Sequence, residues 1–132
     1  MGRYYSGDIE GKFWFAVQDS DDADRFGYRG HDLVDEDGNA TGYLGYSFTK
    51  RHLGSIRDGI NLCLKELGEF KEPLDNFFNL HNFYNDEDIV KELGISKDRV
   101  RTLIENYARL NLGNKILECV EQNGSCHFDA EL

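Results

Sequence analysis

Three groups of residues in this 132-residue chain have the types and spacing to do chemistry. The first is Ser96, Lys97, Arg99, Arg101 and Thr102, continued by Arg109. Lysine, arginine and serine bind phosphate oxygens, and arginine can also grip a guanine edge with two hydrogen bonds. The second is Asp37, Asn39 and Thr41, side-chain oxygens at alternate positions followed by Gly42 and Leu44. These match the first eight places of a calcium-binding loop, but Phe48 stands at the twelfth, where a bidentate glutamate is needed. A polar hairpin turn accounts for the same residues. The third is a pair of carboxylate clusters, Asp19, Asp21, Asp22 and Asp24, then Asp35, Glu36 and Asp37. Such clusters can hold Mg²⁺ or form an acid/base pair, and they also make ordinary solvated loops. Cys63, Cys119 and Cys126 and the four histidines show no zinc spacing, and no phosphate loop or serine elbow occurs. No catalytic residue, metal or cofactor is therefore assigned, and a non-enzymatic protein is favoured.

The elements that must position these groups divide the chain in two. The front reads as β. Tyr4–Ser6 is a short strand, and Lys12–Gln18 is the clearest one, with Phe13, Phe15 and Val17 on one side and Trp14 and Ala16 on the other. Ser20 can cap a helical turn over Asp21–Arg25. His31–Val34 and Tyr43–Thr49 form a hairpin about the polar connection Asp35–Gly42. Helices follow. Arg51–Leu67 carries Leu53, Ile56, Ile60, Leu64 and Leu67 at helical spacing and stops at Gly68. Pro73 suits the first turn of a second helix, which runs to about Leu80 with Leu74, Phe77 and Phe78 inward. Asn85 caps a third and Ser96 a fourth. The fourth keeps one apolar stripe from Val100 to Val120 across Gly113, so one helix over Lys97–Gln122 is expected. The alternative is a break at Gly113 with a strand over Lys115–Glu121. The segment Ser125–Leu132 alternates, with Cys126, Phe128, Ala130 and Leu132 facing in, and its natural partner is the strand Lys12–Gln18. All three cysteines fall on apolar faces, which makes them core. Tyr4, Tyr5, Trp14, Phe83 and Tyr84 exceed what one small core needs and could form a stacking surface.

The third and fourth helices meet at Gly94, with Ile89, Val90, Leu93, Ile95, Val100 and Leu103 apolar around it. This segment, Asp86–Leu103, resembles the helix-turn-helix of many bacterial and phage regulators. The resemblance implies that the fourth helix lies in a DNA major groove, with base-reading positions near Lys97, Asp98, Arg99 and Thr102. Val90 departs from the small residue usual at its place, and Asp98 is an acid among the readers. The opening MGRYYSGDIEGKFWF is loosely similar to small phage and viral proteins, a likeness that carries no function.

Composition sets the limits. Net charge is −10, which argues against unspecific nucleic-acid binding. Residues 1–48 hold four basic and ten acidic side chains, whereas residues 97–115 hold five basic and two acidic. The positive island thus coincides with the fourth helix. No apolar run can span a membrane and no export signal is evident, so an intracellular, cytoplasmic protein with free thiols is expected. The expected architecture is a single α+β domain over residues 1–132. A small antiparallel sheet of N-terminal strands and the C-terminal strand packs on a four-helix layer containing the helix-turn-helix. The expected function is binding or regulation by a phage- or virus-encoded protein, with nucleic acid as the partner. An acidic interaction or inhibitor module that imitates nucleic acid before a basic host protein is the second reading, and a metal-dependent enzyme at Asp19–Asp37 the third.

Overall fold

The computed structural model describes residues 3–13, 18–80 and 86–132, excepting the side chains of residues 80, 86, 87 and 92. The fold is α+β. Strands β1 (Tyr4–Gly7) and β2 (Gly11–Lys12) lead to a 3-10 turn, Asp22–Phe26, and to strands β3 (His31–Val34) and β4 (Ala40–Thr49). Helices α1 (Leu53–Leu67), α2 (Lys71–Leu80), α3 (Asp86–Leu93) and α4 (Lys97–Asn123) follow, and β5 (Ser125–Glu131) closes the described chain. The strands form one antiparallel sheet in the order β2-β1-β5-β4-β3.

The centre of that sheet is β5, whose alternation does what its pattern demands. Cys126, Phe128 and Ala130 are buried and lie opposite Phe48, Tyr46 and Leu44 of β4. The rings of Tyr46, Phe48 and Phe128 lie nearly parallel at 5.0 to 6.2 Å. Full burial of each such side chain contributes about 1.5–3 kcal/mol. Two expectations are corrected here. The other partner of β5 is β1, with Tyr5 opposite Ala130, rather than Lys12–Gln18. Residues 14–17 of that segment lie outside the described region, and among its described residues Lys12 is in a strand while Phe13 and Gln18 are not. Leu132 is 56% exposed rather than inward, because it has passed the edge of the covered face.

The helices follow their apolar patterns with shifts of detail. Lys50–His52 forms a 3-10 turn before α1, closed by a reciprocal cap in which Thr49 N–H donates to His52 Nδ1 at 2.9 Å. Cys63 is buried while Leu64 is exposed. Leu74 and Phe77 anchor α2. The expected Asn85 cap lies outside the described residues. Helix α4 is unbroken, and its end is set by Gly124, whose left-handed φ of 84° lets its N–H bond Val120 O at 2.8 Å and turns the chain into β5. Gly113 survives inside α4 for a packing reason. A Cβ there would lie 2.5 Å from Phe26 Cε1, and one at Gly59 of α1 would lie 2.7 Å from Phe26 Cδ1. The fully buried Phe26 ring is a wedge between two helices that are notched for it.

Candidate nucleic-acid interface

Helix α3 ends at Gly94, whose φ of 66° is left-handed and whose N–H bonds Val90 O at 2.8 Å. The chain re-enters a helix at Ser96, whose hydroxyl accepts the N–H of Arg99 at 3.3 Å. Ile89, Val100 and Leu103 are buried, and Val90, Leu93 and Ile95 are partly buried against the same core. With those positions fixed inward, the first two turns of α4 turn Lys97, Asp98, Arg99, Arg101 and Thr102 to the surface. Lys91 of α3 is exposed too.

These side chains are not equivalent. The Arg99 guanidinium lies 5.2 Å from the Phe70 ring centroid, a cation–π contact that holds it beside the turn before α2. The Thr102 hydroxyl donates to Asp98 O at 3.4 Å. Arg109 is separate from the others: it is 9% exposed and pairs with Glu105 at 2.9 Å and Asp22 at 3.5 Å. It faces the interior, two turns along the helix from the exposed cations, and serves the fold. Below it, the Tyr107 hydroxyl donates to Asp75 at 2.7 Å, and Lys71 pairs with the same carboxylate at 2.6 Å. Partial burial would raise the Asp75 pKa, but the bonds from Lys71 and Tyr107 outweigh it and hold the group below the usual carboxylate range.

The acidic front is organised by the Asp22–Phe26 turn. Ser20 does not cap it. Its hydroxyl donates to Glu131 O and accepts from Arg3, which also bonds Gln18 O, so Ser20 ties the turn to β5. Asp24 accepts from the Tyr46 hydroxyl at 2.6 Å and the Gly30 N–H at 2.8 Å. Asp22 is 2% exposed, and burial raises its pKa against the opposing pull of Arg109. Among the described residues, Asp19, Asp21 and Asp22 are the carboxylates close enough to share an ion, with oxygens within 4.8 Å of one another.

The calcium-like pattern resolves into a turn. The Asp35 carboxylate accepts the N–H groups of Asp37 and Asn39, both at 2.9 Å, and Thr41 donates to Leu33 O at 2.9 Å. Strands β3 and β4 flank it where a calcium loop of that pattern has helices.

Sequence reasoning missed the Asp22–Arg109 pair and the Phe26 wedge. The only local sign of the first was Glu105 four residues before Arg109, a spacing that predicts a pair but no inward direction. No helix of the described residues is long and apolar enough to cross a membrane. No family model matches the chain, and no curated protein or solved structure is significantly similar to it.

Proposed function

We propose that this is a non-enzymatic binding protein of a regulatory kind, phage- or virus-encoded, that contacts nucleic acid through the turn between α3 and α4. In this reading α1–α4 form one layer, and the helix-turn-helix at its margin offers Ser96, Lys97, Arg99, Arg101 and Thr102 to the ligand. The observation that carries it is their shared outward direction, with Ile89, Val100 and Leu103 of the same two helices buried. Arg109 is no longer part of the contact set, since it is committed to Asp22 and Glu105. The overall charge of −10 opposes attraction for phosphate elsewhere on an acidic surface, so the exposed cations of this face support the reading.

The test is salt-dependent binding of mixed DNA and RNA to the native chain and to an Arg99→Ala/Arg101→Ala variant. Each phosphate contact contributes roughly −0.9 to the slope of log K against log salt on duplex DNA. Losing two should flatten that slope by about 1.8. An unchanged slope, or no binding at low salt, would sink the proposal.

A second reading is an acidic module that occupies the nucleic-acid site of a basic protein. Exposed Asp32, Asp35, Glu36 and Asp37 lie about the β3–β4 turn beside exposed Val34 and Tyr43, which favours it. Charge reversal at Asp35 and Asp37 should then abolish inhibition of a basic nucleic-acid-binding protein. Inhibition that persists counts against this reading.

A further inference from the structure

Halfway along α4, a cavity of about 320 Å³ lies between that helix and the strands β1 and β2. Its wall is rich in hydrogen-bond donors. Lys12 of β2 and Lys115 of α4 bring two ammonium groups to it, Asn111 and Asn114 bring side-chain amides, and Tyr5 of β1 brings a phenol. Among the described residues no acidic side chain lines it, in a chain whose net charge is −10. Lys115 Nζ donates to Tyr5 Oη at 2.8 Å and to Glu10 O at 3.2 Å, which leaves its third proton uncommitted. The phenol accepts that bond, so its own proton still lacks an acceptor among the described residues, and Tyr5 is only 6% exposed. Among the described residues neither lysine pairs with a carboxylate, and neither asparagine amide is hydrogen-bonded. Strand β2 is cut away at Gly11 to let these groups meet. A Cβ there would lie 2.5 Å from Tyr5 Oη and 3.0 Å from Lys115 Nζ.

We propose that this cavity binds a small phosphate monoester. Two lysines at one cavity repel each other unless an anion lies between them. A monoester carries close to two negative charges at neutral pH, which matches the two ammonium groups. Its three outer oxygens match Lys12, the third proton of Lys115 and the unclaimed proton of Tyr5, and bonds to ionised groups are the strong ones. Asn111 and Asn114 can turn their NH₂ groups to the same oxygens. Ala108 and Leu112 supply the apolar part of the wall, against which the organic body of the ester packs. Ligand sites run from about 300 to about 1,000 Å³, so this one is at the small end and limits that body to about one ring. The site is distinct from the α3–α4 turn, because Lys97–Thr102 begin α4 and Ala108–Lys115 lie further along it. A bound ester would tie β1 and β2 to the helix, so it should stabilise the fold.

The experiment titrates the full chain with phenyl phosphate at neutral pH and follows backbone amide shifts by NMR. The shifts should concentrate at Tyr5, Lys12 and residues 111–115, and the thermal midpoint should rise with the ester. Phenol, the same body without the charge, should do neither. Benzoate, with one charge, should bind about tenfold or more weakly. Asn114→Asp puts a negative charge into the wall at an exposed position, and Lys12→Met removes one ammonium group. Each should weaken phenyl phosphate binding by about tenfold or more. Arg99→Ala/Arg101→Ala should bind the ester with native affinity, which separates this site from the nucleic-acid face. Absence of shifts at these residues, shifts centred on Lys97–Thr102, phenol or benzoate binding as tightly as the ester, or undiminished binding by either wall variant would each overturn the proposal. The shift map on the native chain decides the matter even if a variant fails to fold.

Discussion

Gly113→Ala sets two effects of opposite sign against each other at the Phe26 wedge. In an open helix the exchange is favourable, since alanine exceeds glycine by about 1 kcal/mol. Here the new Cβ would sit 2.5 Å from Phe26 Cε1, 2.7 Å from Cζ and 3.0 Å from Ile60 Cγ1. The ring has nowhere to retreat. It is fully buried, and Gly59 of α1 meets it on another side, where a Cβ would lie 2.7 Å from Phe26 Cδ1. Overfilling a packed site costs about 1–3 kcal/mol, and contacts this short belong at the upper end. After the helical gain is subtracted, a net loss of about 1–2 kcal/mol is expected. Urea and thermal unfolding followed by circular dichroism would measure it, with a midpoint lowered by several degrees. Phe26→Leu in the same chain should recover part of the loss, because leucine withdraws the atoms that collide. The double-mutant cycle should therefore show coupling above about 0.5 kcal/mol. A Gly113→Ala variant more stable than the native chain, or strictly additive effects, would refute the wedge.

Two further outcomes follow from the ion pair and the buried phenols. Arg109→Ala strands the buried Asp22 carboxylate and should cost about 3–5 kcal/mol in chemical denaturation. If it weakened nucleic-acid binding while leaving stability intact, the inward placement of Arg109 would be wrong. Tyr46 and Tyr107 both have pKa values raised above the ordinary 10.0, first by burial and then by the carboxylates that accept their protons, Asp24 and Asp75. Their folded values exceed the unfolded one, so the stability they hold is complete below about pH 10 and is lost as pH climbs above it. Each should remove about 1.4 kcal/mol per pH unit in that window. Urea titrations between about pH 9 and about pH 11 would show this, and Tyr46→Phe should reduce the slope. Equal slopes in the variant and the native chain would contradict it.

Local pattern made most elements legible in the sequence. The stripe in Leu53–Leu67, the cap at Ser96 and the alternation from Ser125 each depend on neighbours within a few residues. Strand partnership does not. Lys12–Gln18 has the stronger alternation, yet β5 pairs with Tyr4–Gly7, a choice made by contacts across more than a hundred residues. Ser20 shows the same limit. Its position before three carboxylates suits a cap, but its hydroxyl goes to Glu131 O, 111 residues away. At the candidate site, the burial of Val100 and Leu103 fixed which way Lys97 and Arg99 had to point, so that face could be read. Arg109 could not, because its section of α4 is buried on several sides, including Tyr107, Ala108, Leu110 and Leu112. A charge series along such a helix carries no information about which members remain in water.

The position of β5 governs the order in which the molecule can assemble. Strands β1 and β2 are made first and β3 and β4 soon after, yet among the described strands neither pair is hydrogen-bonded to the other, since β5 separates them in the sheet. Tyr5 finds its partner Ala130 only after every helix has been synthesised. The N-terminal strands must therefore wait on the ribosome without a ladder partner beyond their own short hairpin, while the helices and the β3–β4 hairpin can form early. Sheet closure becomes a late, long-range step with a large loop-closure entropy, the kind that slows folding. Until then the inner faces of β1 and β4 are exposed together, which makes the nascent chain a better substrate for a holding chaperone than the finished fold.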